Sequence, residues 1–207
     1  MRIAVVNLKG GTSKTTSSMF LAAALARRGR TLLVDTDPQG SALSWSETAE
    51  ADGYELPFAI MGLPTKDVHR KLARVADDYE YVVIDTPPGE IPITRSALKA
   101  VEVALVATSP SVMDVSRFRP TLDLLADVED VNEDLAYYVL ITRARRISRE
   151  GKEAREVMEE MGLPVLKAEV PHLSFYSEAY GSRIEDLAEY GAVADELVRE
   201  FEAGEVA

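Results

Sequence analysis

Asn7-Leu8-Lys9-Gly10-Gly11-Thr12-Ser13-Lys14-Thr15-Thr16 decides how the rest of this 207-residue chain is read. It lies between a short apolar run, Ile3 to Asn7, and an amphipathic stretch, Thr15 to Arg28, that stops at Gly29. The first reads as a buried strand and the second as a helix with a glycine stop. A loop at such a junction is where an α/β fold binds phosphate: adjacent glycines let the backbone turn N–H groups toward an anion, and the helix dipole adds positive potential there. Lys14 would reach the β- and γ-phosphate oxygens, and the Thr15 hydroxyl would ligate Mg²⁺. The strict pattern GxxxxGK[ST] is not met, because Leu8 takes the first glycine position and Ser13 the second. A small residue is tolerated at position 13 if its φ is negative.

Further along the chain the same alternation recurs. Thr31 to Asp35, Tyr81 to Asp85, Ala104 to Thr108 and Tyr137 to Thr142 are apolar runs separated by helical segments. Runs that are apolar throughout, rather than at every second residue, belong to a sheet covered on both faces. The expected architecture is α/β: one doubly wound, mostly parallel sheet with helices on both faces, spanning residues 1–207 as a single unit with 203–207 as a frayed tail. Two of these strands end in carboxylates. Asp35-Thr36-Asp37-Pro38-Gln39-Gly40 follows the second strand, and Tyr81-Val82-Val83-Ile84-Asp85 is the Walker B pattern, whose acid holds the Mg²⁺ shell. Read by residue type alone, Asp35 and Asp37 equally suit helix capping or loop solvation, and Lys9 suits a solvated loop charge.

Composition narrows the classes. The chain has 35 acidic residues against 23 Lys and Arg, a formal net charge of −12, and no cysteine. Disulfides, iron–sulfur clusters and thiol nucleophiles are therefore excluded. Such acidity is not that of a nucleic-acid binder, so any DNA affinity needs a local basic patch. No run of 18 apolar residues is present and the N-terminus lacks the pattern of a signal peptide, so a soluble cytoplasmic protein is expected. Two distant histidines, His69 and His172, make no metal site.

The segments KGGTSKTT, LLVDTDPQGSALSW and YVVIDTPPG together resemble the ParA/MinD group of deviant Walker ATPases, which carry a signature lysine at the position of Lys9. Ala107 to Ser111, Leu140 to Arg143 and the overall length resemble the small ParA proteins of the ParF type. The resemblance implies ATP and Mg²⁺ as cofactors, with Gly10, Gly11, Thr12, Ser13, Lys14, Thr15 and Thr16 forming the phosphate loop. It implies that Lys9 crosses a homodimer interface to neutralise charge developing on the partner's nucleotide, as an arginine finger does, alongside Lys14. Asp37 would orient the attacking water, Asp85 would act on Mg²⁺ through water, and Asp35 would lie beside the Mg²⁺ shell with Thr15. Thr142, Arg143 and Pro171 align with segments that enclose adenine.

Within that group the chain sorts itself by what it lacks. Iron proteins and cluster-assembly scaffolds of this lineage use cysteines, which are absent here. A MinD-like membrane helix is not expected, since Ile184 to Ala207 holds eight acidic residues against Arg199 and offers no cationic face to anionic lipid. The scattered Tyr176, Tyr180 and Tyr190 do not form a tyrosine cluster and read as core or surface aromatics. One basic patch stands out: Arg143, Arg145, Arg146, Arg149, Lys152 and Arg155 against Glu150 and Glu153. Arg145, Arg146, Arg149 and Lys152 are the expected contacts to DNA phosphates. The resemblance then implies a nucleoid-associated partition or positioning ATPase whose ATP-bound dimer binds DNA non-specifically. A ParB-type protein or cargo adaptor would stimulate its hydrolysis. An ATP-driven scaffolding or polymer-forming protein that ignores DNA is the alternative.

Overall fold

Val5, Leu33, Val83 and Leu105 face one side of a sheet while their chain neighbours Val6, Val34, Ile84 and Val106 face the other, and all are buried. Strands apolar at every position need a layer of helices on each face, and the computed structural model has both. It describes residues 1–111, 118–144 and 149–205. Seven strands are seen: β1 (Arg2–Val6), β2 (Thr31–Asp35), β3 (Ala59–Gly62), β4 (Tyr81–Asp85), β5 (Val103–Thr108), β6 (Ala136–Ala144) and β7 (Val165–Pro171). They form one sheet in the order β3-β2-β4-β1-β5-β6-β7, and every neighbouring pair is parallel. The expected mostly parallel sheet is thus parallel throughout these strands.

One face is covered by α1 (Lys14–Ala26), α2 (Ser41–Ala51), α7 (Ser174–Glu178) and α8 (Tyr190–Glu205). The other is covered by α3 (Val68–Leu72), α4 (Ile91–Leu98), α5 (Arg119–Glu129) and α6 (Arg149–Glu160). Helix α8 docks on α1 and β7. Its buried Glu196 accepts the backbone N–H groups of Lys167 and Ala168 at 2.8 and 2.9 Å, which occupies donors that the edge strand β7 would otherwise leave open. Ala203 to Glu205 of the expected tail continue α8, and 206–207 lie outside the described residues.

Two strands escaped the sequence reading. Strand β3 is four residues long and exposed at both ends, and β7 mixes Lys167 and Glu169 with its apolar residues. Both lie at sheet edges, where one side of the strand faces solvent and the apolar run weakens. What positions the site is the centre of the sheet. Strand β1 lies between β4 and β5, so the chain reverses its winding direction there and the loops at the carboxyl ends part around a crevice. Register sets Asp85 beside Val5 on one side and Asp35 on the other, which brings three strand-end loops to one rim.

Candidate functional site

The loop after β1 is anchored before it turns. Asn7 Nδ2 donates to the Ala107 carbonyl at 2.8 Å, and its Oδ1 accepts the Lys9 N–H at 2.9 Å. Gly11 takes φ +73°, a left-handed conformation that glycine adopts without strain. Ser13 takes φ +65° and ψ +23°, so the negative φ expected of a residue replacing glycine is not found. The loop keeps the glycine conformation, and the serine carries its cost of about 1–2 kcal/mol. Its hydroxyl accepts a hydrogen bond from Arg143 Nε at 3.1 Å.

Helix α1 begins at Lys14, whose side chain is buried to 7% exposure and folds back to donate from Nζ to the Lys9 carbonyl at 3.1 Å. Burial lowers the Lys14 pKa, and the negative charges of Asp85 and Asp37 work against that shift. A buried ammonium with one neutral acceptor is short of negative charge, which is the condition for binding an anion. The Thr15 hydroxyl donates to Asp85 Oδ2 at 2.7 Å, and Ser18, one turn further along α1, donates to Oδ1 at 2.9 Å. Asp85 is fully buried, and desolvation pushes its carboxyl up to about 7; the hydrogen bond from Thr15 opposes this and the charge of Asp35 adds to it. The donor set of a threonine hydroxyl and a buried carboxylate consists of hard oxygens, so it fits Mg²⁺.

Asp35, expected beside the Mg²⁺ shell, is bonded to backbone N–H groups through both of its oxygens. Its Oδ2 accepts the N–H groups of Ala42 and Leu43 at 2.9 and 3.1 Å, and its Oδ1 accepts the N–H of Asp37 at 3.0 Å. Both oxygens are committed to the first turn of α2 and to the turn that carries Asp37. Burial raises its pKa, and these backbone hydrogen bonds oppose the rise. Asp35 thus supports the first turn of α2 and the turn that carries Asp37, and its charge acts on Asp85. Asp37 itself is half-buried; its Oδ1 accepts the Gln39 N–H at 2.9 Å, and it lines the same cavity as Lys14 and Thr15.

Two adjoining cavities open along the rim. The first, about 260 Å³, is lined by Gly11 to Thr16, Asp37, Thr86 and Pro88. The second, about 110 Å³, is lined by Thr142, Pro171, Leu173, Tyr176 and Tyr190. Ser13, Thr16 and Arg143 line both. The first is polar and cationic, and the second is bounded largely by apolar and aromatic side chains. Thr142, Arg143 and Pro171, expected around a base, do meet at the second cavity. Thr142 supports the loop from below, donating to the Thr108 carbonyl at 3.1 Å and to that of Thr12 at 3.4 Å.

Tyr176 and Tyr190 were missed as site residues. Tyr190 is fully buried with its hydroxyl 2.7 Å from Ser17 Oγ, and Tyr176 donates to Glu189. Burial raises the pKa of both phenols. Nothing local in the sequence marks these tyrosines, whereas Ser18 was findable from its spacing of four after Lys14. Of the cations expected on DNA, Arg145 and Arg146 lie outside the described residues and Arg149 is described by its backbone alone. Lys152 is exposed on α6. Arg155, from the same basic patch, is instead tied to Glu169 at 2.7 Å, to Glu159 and to the Leu166 carbonyl.

Comparison with known proteins agrees with this geometry. Maintenance of carboxysome distribution protein A from Gloeobacter kilaueensis is 31% identical over 213 residues, covering 96% of this chain and 94% of that protein. Chromosome-partitioning ATPase Soj from Thermus thermophilus is 35% identical over 161 residues, covering 65% of this chain and 64% of its own length. Among solved structures, cobyrinic acid a,c-diamide synthase from Mycobacterium smegmatis, with a bound ATP analogue and magnesium, superimposes with a TM-score of 0.79 over 98% of this chain and 96% of that one. At 22% identity that likeness concerns the fold alone. The family pattern of the CobQ/CobB/MinD/ParA nucleotide binding domain matches residues 3–185, and the chain belongs to that family.

Proposed function

We propose that this chain is a ParA-type positioning ATPase that takes ATP and Mg²⁺, pairs with a second copy of itself, and hydrolyses ATP slowly to place a plasmid, chromosome or protein cargo. The observation that carries the reading is the loop with two lysines on the rim of the crevice. Lys14 is buried at the helix start against the Lys9 carbonyl, with Thr15 on Asp85 and Asp37 beside them. Holding one nucleotide needs only Lys14; a second lysine suits a role toward a partner's nucleotide. Mg²⁺ would be held by Thr15 and, through water, Asp85, and it would neutralise charge on the phosphates. Lys14 would bind the β- and γ-phosphates, and Asp37 would accept a hydrogen bond from the attacking water and fix its direction. Lys9 would reach the nucleotide of the second copy. Gly10, Gly11 and Thr12 would offer backbone N–H groups to the phosphates, with Ser13 and Thr16 closing the loop, and Thr142 and Pro171 would flank the base.

The ATP dimer would bind DNA through Arg145, Arg146, Arg149 and Lys152, in the cytoplasm and on the nucleoid, with an adaptor protein accelerating hydrolysis. Dimerisation doubles the patch and makes the second contact intramolecular, which offsets the repulsion of a chain of −12. One observation favours the second reading, ATP-driven scaffolding without DNA: Arg155 is spent on Glu169 and Glu159, which shrinks the basic patch. Light scattering and duplex-DNA retardation with and without ATP separate the two. Lys9→Ala is expected to bind ATP within a few fold of the wild type but not to dimerise. Replacing Arg145 and Arg146 by Glu should leave the dimer intact and abolish retardation. A wild-type dimer that ignores DNA at low salt would select the scaffold reading, and ATP-dependent dimerisation by Lys9→Ala would remove its proposed role.

A further inference from the structure

Among the described residues three non-glycines have positive φ: Ser13 at +65°, Arg143 at +56° and Ala188 at +43°. The first two are 130 residues apart in the chain and hydrogen-bonded to each other. Strain held at two touching positions needs a reason, and a ligand site is the usual one. Arg143 owes its position to an irregularity in β6. The pairing of β6 with β7 shifts register between Ile141 and Ala144, so the strand departs from regular alternation at Thr142 and Arg143. Bulges beside a site re-aim side chains, and here Thr142 lies beneath the phosphate loop while Arg143 reaches Ser13 above it.

The two cavities give the order of parts along a bound nucleotide. Lys14, Thr15 and Asp37 line only the cationic cavity, and Pro171, Tyr176 and Tyr190 only the aromatic one. Ser13, Thr16 and Arg143 form the ridge between them. A nucleoside triphosphate with its base in one cavity and its outer phosphates in the other must cross that ridge with the phosphate nearest the ribose. We propose that Arg143 is a phosphate-binding residue for that innermost phosphate, and that the Ser13 hydroxyl is its positioning partner. Nε is held by Ser13, so the planar guanidinium can present its terminal N–H groups to phosphate oxygens. A glycine at position 13 would relieve the loop but leave Arg143 without this anchor. The serine thus has a compensating use in this chain. The inference rests on the nucleotide reading of the crevice and adds to it a cation specific for what ATP and ADP share.

The test is calorimetric titration of the nucleotide-free protein with Mg-ATP and with Mg-ADP. Arg143→Ala is expected to weaken both by a similar factor, about tenfold, because the innermost phosphate is common to both. Arg143→Lys should not restore the affinity, since lysine lacks the Nε–H that bonds Ser13. In the Ser13→Gly background, Arg143→Ala should cost clearly less, about threefold, because the guanidinium is no longer held. Unchanged affinities for both nucleotides in Arg143→Ala, or loss confined to ATP, would overturn the assignment of Arg143. Equal losses in the Ser13 and Ser13→Gly backgrounds would overturn the positioning role of Ser13. Lys14→Ala distinguishes this from failure of the site itself: if it binds nucleotide as the wild type does, the crevice reading falls and this inference with it. If Lys14→Ala loses binding and Arg143→Ala does not, only this inference falls.

Discussion

Replacing Asp85 by Asn should stabilise the nucleotide-free and metal-free protein, and the gain should grow with pH. The carboxyl is fully buried, and desolvation moves it from an ordinary 3.8 to about 7. At about 1.4 kcal/mol per tenfold change in proton affinity, ionising it in the folded state costs on the order of 4 kcal/mol more than in the unfolded chain. The sign follows from proton counts. Below pH 4 both states are protonated and nothing is lost. Between pH 4 and 7 the folded state keeps a proton that the unfolded state has released, so stability falls as pH rises. Above 7 both are ionised and the penalty is complete. The same linkage gives a penalty of about 2 kcal/mol at pH 5.5 and about 4 kcal/mol at pH 8.5. Asn is neutral throughout and can keep one acceptor toward Thr15 or Ser18, so its own effect is a constant offset of about 1 kcal/mol. Urea unfolding in EDTA across that range should show the stability difference, variant minus wild type, rising by about 2 kcal/mol. A flat difference would refute the burial argument. Added Mg-ATP should reverse the order, because the wild type gains a ligand that the variant holds poorly.

Three further outcomes are expected. Lys14→Ala should lower ATP affinity by at least a hundredfold in direct titration, since it removes the buried cation of the loop; near-normal affinity would end the phosphate-loop assignment. Asp37→Ala should bind ATP and accumulate as dimer while hydrolysing at least tenfold more slowly, as phosphate-release assays would read; normal turnover would remove Asp37 from water orientation. Glu196→Ala should cost about 2–4 kcal/mol in chemical unfolding, because two backbone donors of β7 lose a buried charged acceptor; a cost under 0.5 kcal/mol would show that water replaces it.

The residues that spell out chemistry in the sequence are the ones whose neighbours in the chain are also their neighbours in space. The proposed phosphate loop from Asn7 to Thr16 would bind with its own backbone, and its position follows from the strand before it and the helix after it. Asp85 could be read from four apolar residues ending in an acid, because a parallel central strand must be apolar and must end at the crevice. The doubly wound sheet was legible for the same reason, and its edge strands were not, since an edge strand need not be apolar throughout. Tertiary structure decided what depended on how the elements pack. Asp35 could serve a metal or a helix start, and only the packing of α2 onto the end of β2 commits both its oxygens to backbone N–H groups. Ser13 could not be assigned a backbone conformation from its identity, because the loop around it imposes one that serine alone disfavours. Arg143 and Arg155 looked alike in a basic run, yet a shift in β6 sends one to the phosphate loop and the reach of Glu169 on β7 claims the other. Residue type and spacing set which groups can do the chemistry; the contacts that the folded chain makes set which of them are free to do it.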